Sequence, residues 1–167
     1  MSFFSQNNNA TTVCGTTDFN GLFCKVVPVT GCTLLLCTEG CAIGTWHFQP
    51  VAIRRGMLVP LFTHSRFTIE RASLRFSCRF VEMSDPAIAD FTVNFNSPVF
   101  WDFLYRHPIL TLENPEWRLV NEWFGRMEWI TDTIKVVRKH PHRIRFANGL
   151  TFWVFISMNT WIVYNLR

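Results

Sequence analysis

From residue 19 to residue 95 the apolar positions fall into short runs rich in β-branched and aromatic residues. They are FCKVVPV (23–29), CTLLLC (32–37), CAIGTWHF (41–48), VAI (51–53), MLVPLF (57–62), RFTIE (66–70), LRFSCRFVEM (74–83) and FTVNF (91–95). Gly31, Glu39-Gly40, Arg55-Gly56 and Asp85-Pro86 punctuate them, as turns punctuate strands. Within 42–48, Ile43, Thr45 and His47 fall on one side of an extended chain, and Ala42, Gly44, Trp46 and Phe48 on the other. Many short strands at close spacing predict an antiparallel sandwich or barrel over 19–96.

After Pro98 the period changes. SPVFWDFLYRHP reads as a short helix with Ser97 as N-cap and Pro98 in the first turn. A second start follows at ENPEW, where Asn114 caps, Pro115 fits the first turn and Glu116 complements the helix dipole. Val120, Trp123, Phe124, Met127, Ile130, Ile134 and Val137 then recur at helical spacing, and Pro141 ends the element. A last helix is expected from about His142 or Ile144 to the C-terminus. Leu150, Trp153, Val154, Trp161 and Tyr164 share one side of it, while Phe152, Phe155 and Ile156 make the opposite side apolar too. A helix apolar nearly all round needs cover on more than one side, and a second subunit supplies it. These residues are the candidate dimer interface, and 97–167 the helical dimerisation segment.

The 167 residues suit one domain with a real core. The N-terminal MSFFSQNNNATT is polar and without period, so 1–18 is assigned to a loose arm, and it lacks the basic start and apolar run of a secretory signal. The six cysteines sit mostly inside apolar runs, with no CxxC pair, which points to buried reduced thiols and a cytoplasmic protein. The longest apolar stretch, 150–164, is shorter than the roughly 20 residues of a membrane helix and is interrupted by Ser157, Asn159 and Thr160, so no membrane partner is expected. Net charge is +4, and no acidic residue follows Asp132, while Lys135, Arg138, Lys139, Arg143, Arg145 and Arg167 do. A bias of this kind is a solvated face more often than a nucleic-acid surface.

Chemical signatures are scarce. The five histidines form no HxH pair on a strand; His140 and His142 straddle Pro141 with no carboxylate nearby, so no metal site is expected. There is no GxSxG elbow, activated cysteine or phosphate loop, so neither catalytic residues nor a cofactor are expected. Glu39, Glu70, Glu82 and Asp85 fall at turns or strand ends, where solvation accounts for them. What remains is the β-rich interior. Trp46, Phe48, Phe62, Phe67, Phe76 and Phe80 are candidates to line a cavity, with His47, His64, Arg66 and Arg75 as polar anchors. The competing reading is that the aromatics simply fill a core.

The stretch LLLCTEGCAIGTWHFQPVAIRRGMLVPLFTHSRFTI resembles the N-terminal sensor half of AraC/XylS-type transcriptional regulators. LCTEG looks like a strand ending in that family's Gly turn, and GMLVP like its Gly-led strand with a nearby proline. FTVNFNSPVFWDFLYRHPILTLENPEW is similar to the exit from the family's barrel, and KHPHRIRFANGLTFWVFISMNTW to its final helix. The resemblance implies a mainly β fold with C-terminal α: a cupin-like (jelly-roll) β-barrel followed by two to three helices. It implies effector binding without catalysis, which fits the stretch from Leu34 to Leu61, where His47 is the single histidine and metal cupins are histidine-rich. It also implies a homodimer through the final helix, and DNA contact only through two helix-turn-helix motifs, expected after Arg167. A stand-alone cupin that binds a small molecule, a metal-dependent cupin enzyme, and a barrel serving only dimerisation are the alternatives.

Overall fold

The computed structural model describes residues 12–27, 29, 31–85, 88 and 98–137, with side chains for 102–132 in the last stretch. Eight strands and two helices follow one another: β1 (Thr12–Thr17), β2 (Cys32–Glu39), β3 (Cys41–Trp46), β4 (Gln49–Arg54), β5 (Met57–Phe62), β6 (Phe67–Ala72), β7 (Ser77–Met83), α1 (Pro98–Arg106), β8 (Leu110–Thr111) and α2 (Asn114–Val137). The strands form two antiparallel sheets, ordered β1-β7-β2-β5-β8 and β4-β3-β6. Among the described residues they remain two sheets, without closure into one barrel.

The layers follow from strand alternation. Cys32, Leu34 and Leu36 of β2 join Leu58, Val81, Leu104, Val120, Trp123, Phe124 and Met127 in a cluster between the large sheet and the helices. The intervening Leu35 and Cys37 join Val59, Leu61, Cys78 and Phe80 against Ala42, Ile53, Phe67 and Ile69 of the small sheet. A strand covered on both faces reads as an unbroken apolar run, and Cys32–Cys37 is buried throughout. Each fully buried Leu contributes about 2 kcal/mol of transfer free energy.

Several expectations change in detail. Residues 12–17, assigned to the arm, form β1, whose Thr- and Val-rich sequence pairs along the whole of β7. Residues 23–26 form no strand: turns occupy 20–24, and the Cys24 and Val27 amides donate to Ile69 and Phe67 along the edge of β6. β8 was not expected, because two residues are too few to show a period; it is fixed by pairing with Met57 and Leu58. The cap of α2 is Glu113 rather than Asn114: its amide donates to Glu116 Oε2 at 2.7 Å, and its carbonyl accepts the first helical bond from Trp117. The expected strand at 91–95, the arm at 1–11, and Leu150, Trp153, Val154, Trp161 and Tyr164 lie outside the described residues.

The stack has two distinguishable ends. At one, Gly40 alone links β2 to β3, and 73–76 link β6 to β7. At the other, 63–66 carry the chain from Phe62, which pairs with Cys32, to Phe67, which pairs with Trp46. Gly31, with φ of 89°, opens β2 here; a Cβ on it would stand 2.1 Å from the Met83 carbonyl oxygen, so only glycine fits.

Candidate ligand site between the sheets

At the Gly31 end the register sets Val13 of β1, Glu82 of β7, Thr33 of β2 and Leu61 of β5 in one row across the inner face. The period of β7 puts Glu82 there: Cys78, Phe80 and Glu82 point toward the small sheet, Val81 and Met83 toward the helices. Glu82 is 8% exposed and Thr33 fully buried, and neither Glu82 Oε2 nor Thr33 Oγ1 has a hydrogen-bond partner. The earlier expectation that solvent accounts for Glu82 is therefore corrected. It sits near a strand end in sequence, but the two sheets enclose it.

From the facing sheet, β3 runs back from Gly40 and brings Trp46 to the same end. Its side chain is half-buried against the inter-sheet core, and its Nε1 is buried without a partner. One further buried polar atom without a partner is described, Trp117 Nε1, at the start of α2, where the Arg55 guanidinium lies 4.5 Å from the ring centre.

Burial pushes the Glu82 carboxyl up to about 7. The strand positions around it (Val13, Thr33, Leu35, Val59, Leu61, Phe80) are uncharged, and no ion pair among the described residues involves it. Unpartnered buried polar groups cost on the order of 1–3 kcal/mol each. An acceptor, a hydroxyl and an N–H donor in an otherwise apolar interior are the groups that orient a small molecule.

The residues expected to line a cavity are placed differently. Trp46, His47, Phe48 and Arg66 do come together, but only Trp46 reaches the interior. His47 and Phe48 form the two-residue turn between β3 and β4, with φ of 46° and 66°, and Phe48 is 73% exposed. The His47 ring meets Trp46 edge-on at 4.3 Å, its amide donates to the Arg66 carbonyl, and the Arg66 guanidinium covers the Phe48 ring at 5.2 Å. His64 is an exposed turn residue, and Phe62 faces the helices, its ring 5.9 Å from Tyr105. Arg75 is exposed at the Gly40 end, away from all of these. Phe67, Phe76 and Phe80 are buried core. Glu82 and Thr33 were missed, although the phase of RFSCRFVE already carries Glu82 on the side of Cys78 and Phe80.

On the outer face, a shallow concavity of about 510 Å³ lies between Arg79 of β7 and Arg118, Asn121, Glu122, Gly125, Arg126 and Trp129 of α2. Its cations are largely engaged: Arg79 donates to the Asn121 carbonyl and Oδ1 and pairs with Glu128, and Arg126 pairs with Glu122. None of the six cysteines is in a disulfide; Cys14, Cys32, Cys37 and Cys78 are buried, Cys24 and Cys41 exposed. Among the described residues no group of three His, Cys, Asp or Glu is placed to hold a metal, and no helix is long and apolar enough to cross a membrane.

No known protein family and no curated relative matches the sequence. Solved structures similar to it include two of ToxT from Vibrio cholerae, an AraC-family regulator. One, an apo form, has a TM-score of 0.47 and 12% identity over 71% of this chain and 48% of its own. The other, bound to (E)-4-(8-methylnaphthalen-1-yl)but-3-enoic acid, has a TM-score of 0.45 and 15% identity over 92% of this chain and 59% of its own. Vicilin from Capsicum annuum follows at 0.27 and 12%, over 56% and 35%. The chain thus spans about half to three-fifths of the ToxT chains.

Proposed function

We propose that the chain is the effector-sensing half of an AraC-type transcriptional regulator, acting in the cytoplasm, with its small-molecule site between the two sheets at the Gly31 end. The observation that carries the sensing role is the row of Glu82 and Thr33, whose Oε2 and Oγ1 are buried without hydrogen-bond partners inside an apolar sandwich. The regulator assignment rests on the resemblance of 34–69 and the flanking segments to that family's sensor half. The chain senses rather than catalyses, and its jelly-roll is cupin-like in outline. It pairs through Leu150, Trp153, Val154, Trp161 and Tyr164, and DNA is contacted through helix-turn-helix motifs outside it. An effector transmits a signal only by its different affinity for two arrangements of the dimer.

Two measurements test this. Light scattering of the 167-residue chain should give twice 19.6 kDa, and Trp153→Asp with Trp161→Asp should give one chain mass. A thermal-shift screen of small metabolites should find a compound whose stabilisation is reduced in Thr33→Val, since a ligand specific to the folded state stabilises it by mass action. A monomeric wild type removes the proposed pairing, and hits indifferent to Thr33→Val remove the site.

A further inference from the structure

The groups left unpartnered at the Gly31 end restrict what can bind there; the argument rests on the sensing role proposed above and narrows it to a ligand class. Glu82 is a carboxyl 8% exposed, and β1, β2 and β5 surround it with Val13, Thr33 and Leu61. None of the three supplies a cation. An ionised carboxylate in such surroundings lacks a counter-charge and, at Oε2, its hydration. A neutral donor from a ligand would restore one hydrogen bond and leave the charge buried. An ammonium group restores the hydrogen bond and cancels the charge together, and charge-assisted bonds of this kind are about twice as strong as neutral ones. A carboxylate ligand would instead set two anions side by side.

From these groups we infer that the effector is a small primary amine with an apolar body, its ammonium held by Glu82 and Thr33. The Thr33 hydroxyl, directly opposite Glu82 across the β7–β2 pairing, accepts a second ammonium proton. Leu35, Val59, Leu61 and Phe80 continue the same inner face as packed core, and the half-buried Val13 and Trp46 at its open end take the apolar body. Trp46 Nε1 enters from the facing sheet as a donor without an acceptor. An oxygen on the amine, as in an amino alcohol, would satisfy it. The carboxyl raised toward neutrality by burial agrees with a site short of one positive charge. Glu82 is not wholly sealed from solvent, and the Thr12–Met83 pair stands beside it at the start of β1.

The test is a matched panel: hexylamine and 2-phenylethylamine, the alcohols hexan-1-ol and 2-phenylethanol, and the acids hexanoate and 3-phenylpropanoate. Each is titrated into the full chain at mildly alkaline pH and read by thermal shift and calorimetry. The amines should stabilise the protein and the acids should not. Glu82→Gln should weaken amine binding by about tenfold or more, and Thr33→Val by a smaller factor. Glu82→Gln keeps the shape of the side chain and should fold, and its own melting curve confirms this before titration. Stabilisation by alcohols or acids with none by amines overturns the amine class while leaving a sensor. Amine binding unchanged in Glu82→Gln overturns the proposed anchor. If no member of the panel, and no compound of the wider metabolite screen, shifts the melting curve, both the ligand class and the sensing role fall.

Discussion

Replacing Glu82 with Gln removes one ionisable group from between the sheets and leaves the shape of the side chain intact. In the folded chain the carboxyl holds its proton up to about pH 7, against an ordinary value of 4.5. Between those two values the folded state binds a proton that the unfolded chain has released. Stability therefore falls as pH rises across this window, and levels off above it. Each tenfold change in proton affinity is worth about 1.4 kcal/mol, so the native state should lose about 3 kcal/mol through Glu82 between pH 4.5 and pH 8. Urea unfolding of wild type and Glu82→Gln at several pH values isolates this, since other titrating groups cancel in the difference. The variant's advantage should grow by about 3 kcal/mol from acid to mildly alkaline pH. Parallel stability curves for the two proteins would refute the reasoning, because Glu82 would then be hydrated or paired in solution.

Gly31 and Gly21 share a positive φ of 89° and 83°, but a Cβ meets the Met83 carbonyl at 2.1 Å in the first and nothing within 4 Å in the second. Gly21→Ala should cost about 1 kcal/mol by urea unfolding and Gly31→Ala clearly more; equal costs would mean the Met83 approach is absent. His47 and Phe48 both carry positive φ in a two-residue hairpin, so the double change His47→Asn with Phe48→Gly should raise stability by about 1 kcal/mol, and a loss would contradict the turn geometry. A thiol reagent should modify Cys24 and Cys41 in the native protein and Cys14, Cys32, Cys37 and Cys78 only on unfolding; rapid native labelling at Cys32, fully buried in the register, would contradict the core.

The strands were legible where packing repeats along the chain. MLVPLF and CTLLLC are apolar runs flanked by turn residues, and they become β5 and most of β2. The buried stripe of α2 from Val120 to Ile130 was equally plain, since Val120, Trp123, Phe124 and Met127 of it join the cluster under the large sheet. Turn chemistry was less legible. His47 and Phe48 continue an alternating pattern and suit a strand, yet pairing of Trp46 with Gln49 forces them into the left-handed region. Which carboxylate is enclosed depends on what lies above it. Glu82 and Glu70 look alike in sequence, but Glu82 lies under the small sheet and Glu70 is exposed. That distinction belongs to the stacking of two sheets, which no local period encodes.

Hydrogen–deuterium exchange tests the central claim most directly, comparing the free chain with the chain saturated by the compound that gives the largest thermal stabilisation. A ligand anchored by Glu82 and Thr33 should slow exchange in the first half of β2, in the last residues of β7 and around Trp46 of β3. Protection confined to α2 between Arg118 and Trp129 would contradict the account and place the ligand in the outer concavity instead.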